Sequence, residues 1–291
     1  MKNKLSLFAV PYVGWMSIFV VAPIIIMVVY AFSTAAGDFS LENFARMGTY
    51  TAVFTRSFKL AIIATLIALL IGYPVSYMLS KEGPQVQRIA MVLIMLPMWM
   101  NFLLRTYSWM SILENNGLLN QLFQQIGLID LYNQIAMHFA SDPAAYVPID
   151  HFQMIGTQGA VVLGMVYNYL PFMILPIYSV LVKLDHSLIE AARDLGASSV
   201  QVFRKVILPL SLPGVLSGIT MVFVPSISTF IISRMLGGGS NLLIGDLIEL
   251  QFLGNSYNYN LGSAMSLVLM VIVLLCMSFT TADTEEMEAM V

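Results

Sequence analysis

Glu190-Ala191-Ala192-Arg193-Asp194-Leu195-Gly196, running on through Phe203 to Leu208-Pro209, is a polar, charged island between two long apolar runs. Ser187-Leu188-Ile189-Glu190 has the spacing of a capping box, with Ser187 at the N-cap and Glu190 three positions on. Ala191, Ala192 and Leu195 follow as a small apolar face, and Gly196 ends the helix as a C-terminal glycine does. Ser198-Ser199-Val200-Gln201 repeats the box and opens a second helix whose Val202, Phe203 and Val206 share one side. The pattern predicts a compact helical elbow carrying an exposed Phe203, a surface on which a soluble partner docks. An ordinary interhelical loop whose Glu190 only caps its own helix fits the same residues.

The rest of the chain decides where that elbow sits. Of 291 residues, 58% are hydrophobic and 10% charged, with a mean hydropathy of +0.83. Soluble domains average about 25% charged residues, so this is an all-α integral membrane protein. The formal charge of −3 says little, because the placement of charges matters more than their sum. The single cysteine, Cys276, excludes an intramolecular disulfide framework. Lys2 and Lys4 precede a long apolar run with no small-residue cleavage site, which predicts an uncleaved first span.

Six windows lack Asp, Glu, Lys and Arg: 5–37, 60–80, 89–104, 152–182, 206–233 and 250–282. A span needs about 20 apolar residues. The third window is short and is expected to continue through Arg105 to Ile112. Six transmembrane helices follow, the first, fourth and fifth interrupted by Pro23, by Pro171 and Pro176, and by Pro213 and Pro225. With both termini inside, the cytoplasmic segments hold Lys2, Lys4, Lys81, Arg88, Lys183, Arg193, Arg204 and Lys205, while the 114–151 connection has no Lys or Arg. In that external connection Asn115-Asn116-Gly117 marks a turn, and Leu118, Leu119, Leu122, Phe123 and Ile126 recur with helical spacing up to Gly127. A less regular stretch runs from Ser141-Asp142-Pro143 to Asp150.

The elbow pattern is longer than a capping box requires. Glu-Ala-Ala, three residues, Gly, nine residues, then Val206-Ile207-Leu208-Pro209 resembles the signature of the membrane permeases of binding-protein-dependent ABC importers, with Val206 where the family usually has Ile. The resemblance implies a type I ABC importer permease fold in the cytoplasmic (inner) membrane: one membrane domain over 1–291, a permease core at about 56–280 and a cytoplasmic coupling loop at 183–209. It implies that Glu190, Ala191, Ala192, Arg193, Asp194, Gly196 and Phe203 meet a partner ATPase dimer. ATP and Mg are then held by that ATPase and no cofactor by this chain, which is a transport subunit and not an enzyme. A second homologous permease and an external solute-binding protein complete the implied assembly.

A second stretch, Leu96-Pro97-Met98-Trp99 through Leu104-Arg105-Thr106-Tyr107-Ser108-Trp109, reads alone as an interfacial aromatic belt, with an Arg that snorkels or pairs. Set beside Asn115-Asn116-Gly117, Tyr169-Leu170-Pro171 through Tyr178, Leu236-Gly237-Gly238-Gly239 and Leu242-Leu243-Ile244-Gly245, it resembles the first permeases of spermidine/putrescine importers. Asn258-Tyr259-Asn260 departs from the aromatic-proline wording of that family. A polyamine path should offer aromatic faces for cation–π contact together with carboxylates or amides. Trp99, Arg105, Tyr107, Trp109, Tyr167, Asn168 and Tyr169 are the candidates along the path. Asp246 and Glu249 are candidates at the outer entrance, or equally a solvated contact to the binding protein.

Gly237-Gly238-Gly239-Ser240 lacks a following Gly-Lys-Ser/Thr and reads as a flexible outer turn, not a phosphate loop. His138, His151 and His186 share no metal spacing. No basic patch interleaved with aromatics points to nucleic acid. Alternatives are a permease for another small solute such as ferric ion and an ion-gradient secondary transporter, although the windows hold no midplane carboxylate.

Overall fold

A computed structural model describes residues 10–34, 36–139, 146–254 and 257–288, with side chains up to 278. Lys2, Lys4, Ser141-Asp142-Pro143 and the side chains of the acidic C-terminal tail lie outside the described residues. The order is α1 (Val10–Ala31), α2 (Glu42–Met47), α3 (Thr51–Ser80), α4 (Pro84–Trp99), α5 (Phe102–Leu113), α6 (Leu118–Gln125), α7 (Leu128–Phe139), α8 (Gln158–Leu181), α9 (His186–Asp194), α10 (Ser199–Val202), α11 (Leu208–Ser228), α12 (Ile231–Leu236), α13 (Ile244–Leu253) and α14 (Tyr259–Glu288). Among the described residues β pairing is limited to one isolated bridge, Ser33 to Phe39.

Five stretches are long and apolar enough to cross a membrane: Val10–Ala31, Glu42–Ser80, Gln158–Leu181, Ser199–Ser228 and Tyr259–Ser278. The third expected helix is not continuous. It breaks after Trp99 and bends by 90° between Pro84–Trp99 and Phe102–Gln125, and the pair counts as a sixth span only when taken together. Met100 and Asn101 adopt extended ψ angles, and the Asn101 side chain accepts from the Leu103 N–H at 2.8 Å. An Asn cap that starts a new helix is what ends the old one.

The proline expectations need correction. α8 runs continuously through Pro171 and Pro176, and α11 through Pro213 and Pro225. The helix widens instead ahead of Pro23 and Pro209. A π-turn at Ser17–Val21 and another at Phe203–Ile207 shift the ladder to i−5, with Ala22 N–H bonded to the Ser17 carbonyl and Leu208 N–H to that of Phe203. A proline clashes with the carbonyl four residues back, and the wider turn relieves that clash. The fifth span also stops at Ser228, with a break at Thr229 and Phe230, and the sixth begins at Tyr259 because 244–253 forms the separate helix α13.

The centre is three mutually packed helices, α3, α8 and α11, with α14 lying against α11, α1 and α13. Lipid supplies no hydrophobic drive between helices, so close backbone approach does the packing. Gly214 and Gly218 stand four apart on α11. A Cβ at Gly214 would lie 2.8 Å from the Pro176 carbonyl oxygen, and one at Gly218 would lie 2.8 Å from Met173 Sδ. Polar groups inside this trio are satisfied across it: Ser76 Oγ donates to the Ile174 carbonyl at 3.0 Å, and the Tyr73 and Ser211 hydroxyls bond at 2.9 Å.

At the opposite end from the elbow, α6 forms as expected, with Gly127 at φ +72° after it. A further helix, α7, fills part of the connection that the spacing left unassigned.

Candidate functional site

The elbow is α9, a turn, and α10. Its first cap differs from expectation. Asp185, not Ser187, is the N-cap, and its carboxylate accepts from the Ser187 N–H at 2.9 Å. That bond holds the Asp185 carboxyl below its ordinary range. Glu190 is therefore free of any capping duty and stands exposed. The C-terminus closes as a Schellman motif: Gly196 N–H bonds to Arg193 O at 2.8 Å and Ala197 N–H to Ala192 O at 3.1 Å, with Gly196 at φ +84°. Ser198 and Gln201 form the expected reciprocal box before α10.

The elbow has two faces, and they divide differently from the sequence reading. Ile189, Ala192, Val202, Phe203 and Val206 turn inward onto α3 and α8. Leu188, Ala191 and Leu195 lie along the outer face, Leu195 being 89% exposed, and Val200 is exposed beside them. Ala192 thus does not share a face with Ala191 and Leu195. Phe203 is not exposed either. It is half-buried and held edge-on by Tyr73 at 5.9 Å and 86° and by Tyr77 at 5.4 Å and 70°. Phe203 fastens the elbow to α3, and the outward apolar anchor is Leu195 with Leu188. Glu190 and Asp194 remain exposed beside it, while Arg193, also exposed, lines a concavity behind the elbow with Ile189.

The path candidates do not converge on one surface. Trp99 is 78% and Tyr107 52% exposed, on either side of the 90° bend. Trp109 meets Tyr167 edge-on at 5.2 Å. Tyr169 reaches toward the Pro225 carbonyl at 3.5 Å on α11. Asn168 is buried, its Nδ2 bonded to the Gly164 carbonyl at 2.9 Å, while its Oδ1 has no partner. Arg105 is buried as well, 5.9 Å from the Phe102 ring, with Nε and one terminal nitrogen unbonded. Being buried it does not snorkel, and among the described residues it pairs with no carboxylate.

Asp246 and Glu249 both find partners on α12 or at the start of α13. Asp246 has no solvent exposure: its Oδ2 accepts from Ser233 Oγ at 2.5 Å and from the Leu243 N–H at 2.9 Å, which caps α13 and ties it to α12. Burial pushes its carboxyl up, and the Ser233 bond works against that shift. Glu249 pairs with Arg234. Asp246, without solvent exposure, is not a solvated loop contact, whereas Glu249 stays partly exposed in its pair with Arg234. The glycine turn beside them is tethered: Arg56 donates to Ser240 O at 3.1 Å, Asn241 Nδ2 to Gly156 O at 2.7 Å, and Gly156 N–H to Leu236 O at 2.8 Å.

A span bundle with a capped, outward-facing elbow between its fourth and fifth crossings is the architecture that the family resemblance implies. Residues 68–282 match the family described as binding-protein-dependent transport system inner membrane component. The chain belongs to that family. It is a multi-pass inner-membrane permease of the ABC importer class. The permease is 36% identical over 272 residues to the spermidine/putrescine transport system permease protein PotB of Escherichia coli (strain K12), covering 91% of this chain and 92% of that protein. It is 36% identical to the PotB of Haemophilus influenzae, covering 94% and 92%. The inner membrane ABC transporter permease protein YdcU of E. coli is 29% identical over 78% of this chain and 70% of that one. A chain of a bacterial ABC transporter involved in alginate import shares the fold at TM-score 0.76 and 15% identity, with 98% and 96% coverage. A chain of the MetNI methionine transporter shares it at TM-score 0.55 and 17% identity, with 84% and 98% coverage. Family membership removes the ion-gradient alternative.

Some of what positions the permease's site was open to sequence reading and was missed. Gly214-Val215-Leu216-Ser217-Gly218 is a small-xxx-small pattern that marks the α8–α11 crossing. Asn101, two residues before Leu103, is a cap signal inside an apparently unbroken span. Nothing local in the sequence marks Asp246 as buried.

Proposed function

We propose that this permease moves polyamines, spermidine and putrescine, inward across the cytoplasmic membrane. It works with a second permease, receives solute from an external binding protein and is driven by an ATPase dimer on the cytoplasmic side. The observation that carries the cargo is the likeness to spermidine/putrescine permeases over more than nine-tenths of the chain. Aromatic faces such as the exposed Trp99 and Tyr107 suit a flexible chain of separated ammonium groups. Asp246 is buried and engaged by Ser233 and the Leu243 N–H, which leaves the partly exposed Glu249 as the carboxylate of this pair within reach of solvent. Co-reconstitution with the three partners in vesicles tests this through ATPase stimulation and radiolabelled uptake. Spermidine and putrescine should stimulate both; stimulation by ferric ion and not by polyamines would overturn the cargo.

The power stroke enters through the outer face of α9. Leu188, Ala191 and Leu195 form a strip that fits an apolar groove, and Glu190 and Asp194, one turn apart, are placed to take an Arg of the ATPase. Replacing Glu190 with Ala should leave the permease inserted while ATP hydrolysis no longer drives uptake. Unchanged transport in that variant would refute the role.

A further inference from the structure

A cavity of about 340 Å³ opens behind the elbow, between it and the last turn of α3. Lys81, His186 and Arg193 line it, with the hydroxyls of Ser80 and Ser199 among them, and no carboxylate does. Among the described residues none of these three basic groups is in an ion pair, whereas Arg46 and Arg234 are. The Lys81 ammonium lies 3.8 Å over the Tyr77 ring. The neighbouring Asp185 carboxylate accepts from the Ser187 N–H and interacts with the adjacent His186, which leaves Lys81 and Arg193 as the cations open to a ligand. Basic groups gathered round one concavity repel each other unless an anion sits between them.

We propose that this cavity binds the phosphate of an anionic ligand, seated between Lys81 and Arg193 with Ser199 donating to its oxygens, while the Ser80 hydroxyl is held by the Tyr77 carbonyl at 2.9 Å. Tetrahedral phosphate oxygens suit a point-charge ammonium, a guanidinium fork and hydroxyl donors together. The cavity lies where a 30-residue span ends and the basic segments of the sequence gather, the level of anionic headgroups. Its deeper wall is aliphatic, formed by residues such as Leu181 and Val202, which accommodates the glycerol end of a lipid. An occupant would touch both α3 and the elbow and so brace the coupling surface on the span. The inference does not depend on the cargo.

The test uses the purified full-length chain in micelles. Native mass spectrometry reads dioctanoyl-phosphatidylglycerol and dioctanoyl-phosphatidylcholine, and titration calorimetry reads inorganic phosphate. Wild type and Lys81→Arg should hold phosphatidylglycerol, and Lys81→Gln/His186→Gln should hold it about fivefold more weakly, the effect of losing the Lys81 ammonium near an anionic surface. Phosphatidylcholine should bind weakly throughout. Binding of inorganic phosphate with the same variant dependence, and none of the lipid, would assign the site to a free phosphate. The proposal falls if neither anion binds, or if the double variant binds like wild type while Lys81→Arg shows that the chain folds with a changed residue there.

Discussion

Replacing Phe203 with Leu should loosen the elbow from α3 while leaving the outer apolar strip of α9 intact. The two ring pairs, at 5.4 and 5.9 Å, have edge-to-face geometry. Such pairs contribute about 0.5–1.5 kcal/mol each beyond area burial, so their joint loss is about 1–3 kcal/mol. Leucine keeps most of the apolar volume, which isolates the ring term from a cavity term. At 1.4 kcal/mol per factor of ten, the balance between seated and unseated elbow shifts by about 5- to 150-fold. A double-mutant cycle of Phe203→Leu with Tyr77→Leu, read by thermal unfolding in micelles, should return a coupling of about 0.5–1.5 kcal/mol. In the reconstituted importer the single variant should retain the ATPase subunit on purification and lose uptake. Additive effects in the cycle would refute the reasoning. So would release of the ATPase by a variant of unchanged stability, because Phe203 would then face the partner.

Gly214→Ala should cost about 1–3 kcal/mol by overpacking, since the new Cβ would meet the Pro176 carbonyl and the Ile177 Cα, backbone that cannot step aside; a lowered unfolding midpoint with the fold retained checks it. Ser198→Ala should destabilise the second half of the elbow by about 0.5–1 kcal/mol, the low end for an N-cap because its bond to the Gln201 N–H is long at 3.4 Å, measured as faster amide exchange over 199–202. Asp246 has a folded pKa raised by burial, so its contribution to stability falls as pH rises through that value and improves as pH drops toward the ordinary carboxylate range. Asp246→Asn should remove this slope from unfolding midpoints taken across that range, and a slope unchanged in the variant would assign it to another group.

Much of the permease's layout was legible along the chain. Charge-free windows located the spans because lipid tolerates few charges and satisfies no backbone group, so each helix must be apolar and bonded within itself. The elbow's second capping box and its closing glycine were legible for the same reason: a cap joins residues two to four apart. Where two local signals competed, sequence reading chose wrongly. Asp185 and Ser187 are both competent caps, and the chain uses the earlier one. Prolines in α8 and α11 read as interruptions, yet the helices persist because neighbouring groups accommodate the lost bonds.

What sequence by itself determined, then, is an inner-membrane helical bundle with a capped elbow among its crossings, because both properties arise from contacts within a few residues. What only the tertiary structure decided is direction. Phe203 points inward because Tyr73 and Tyr77 on another span receive it, Leu195 points outward because none of the described residues covers it, and Asp246 is buried because Ser233 on a neighbouring helix meets its oxygen. Those partners lie 13 to about 130 residues away, and no local period records which helix will stand opposite.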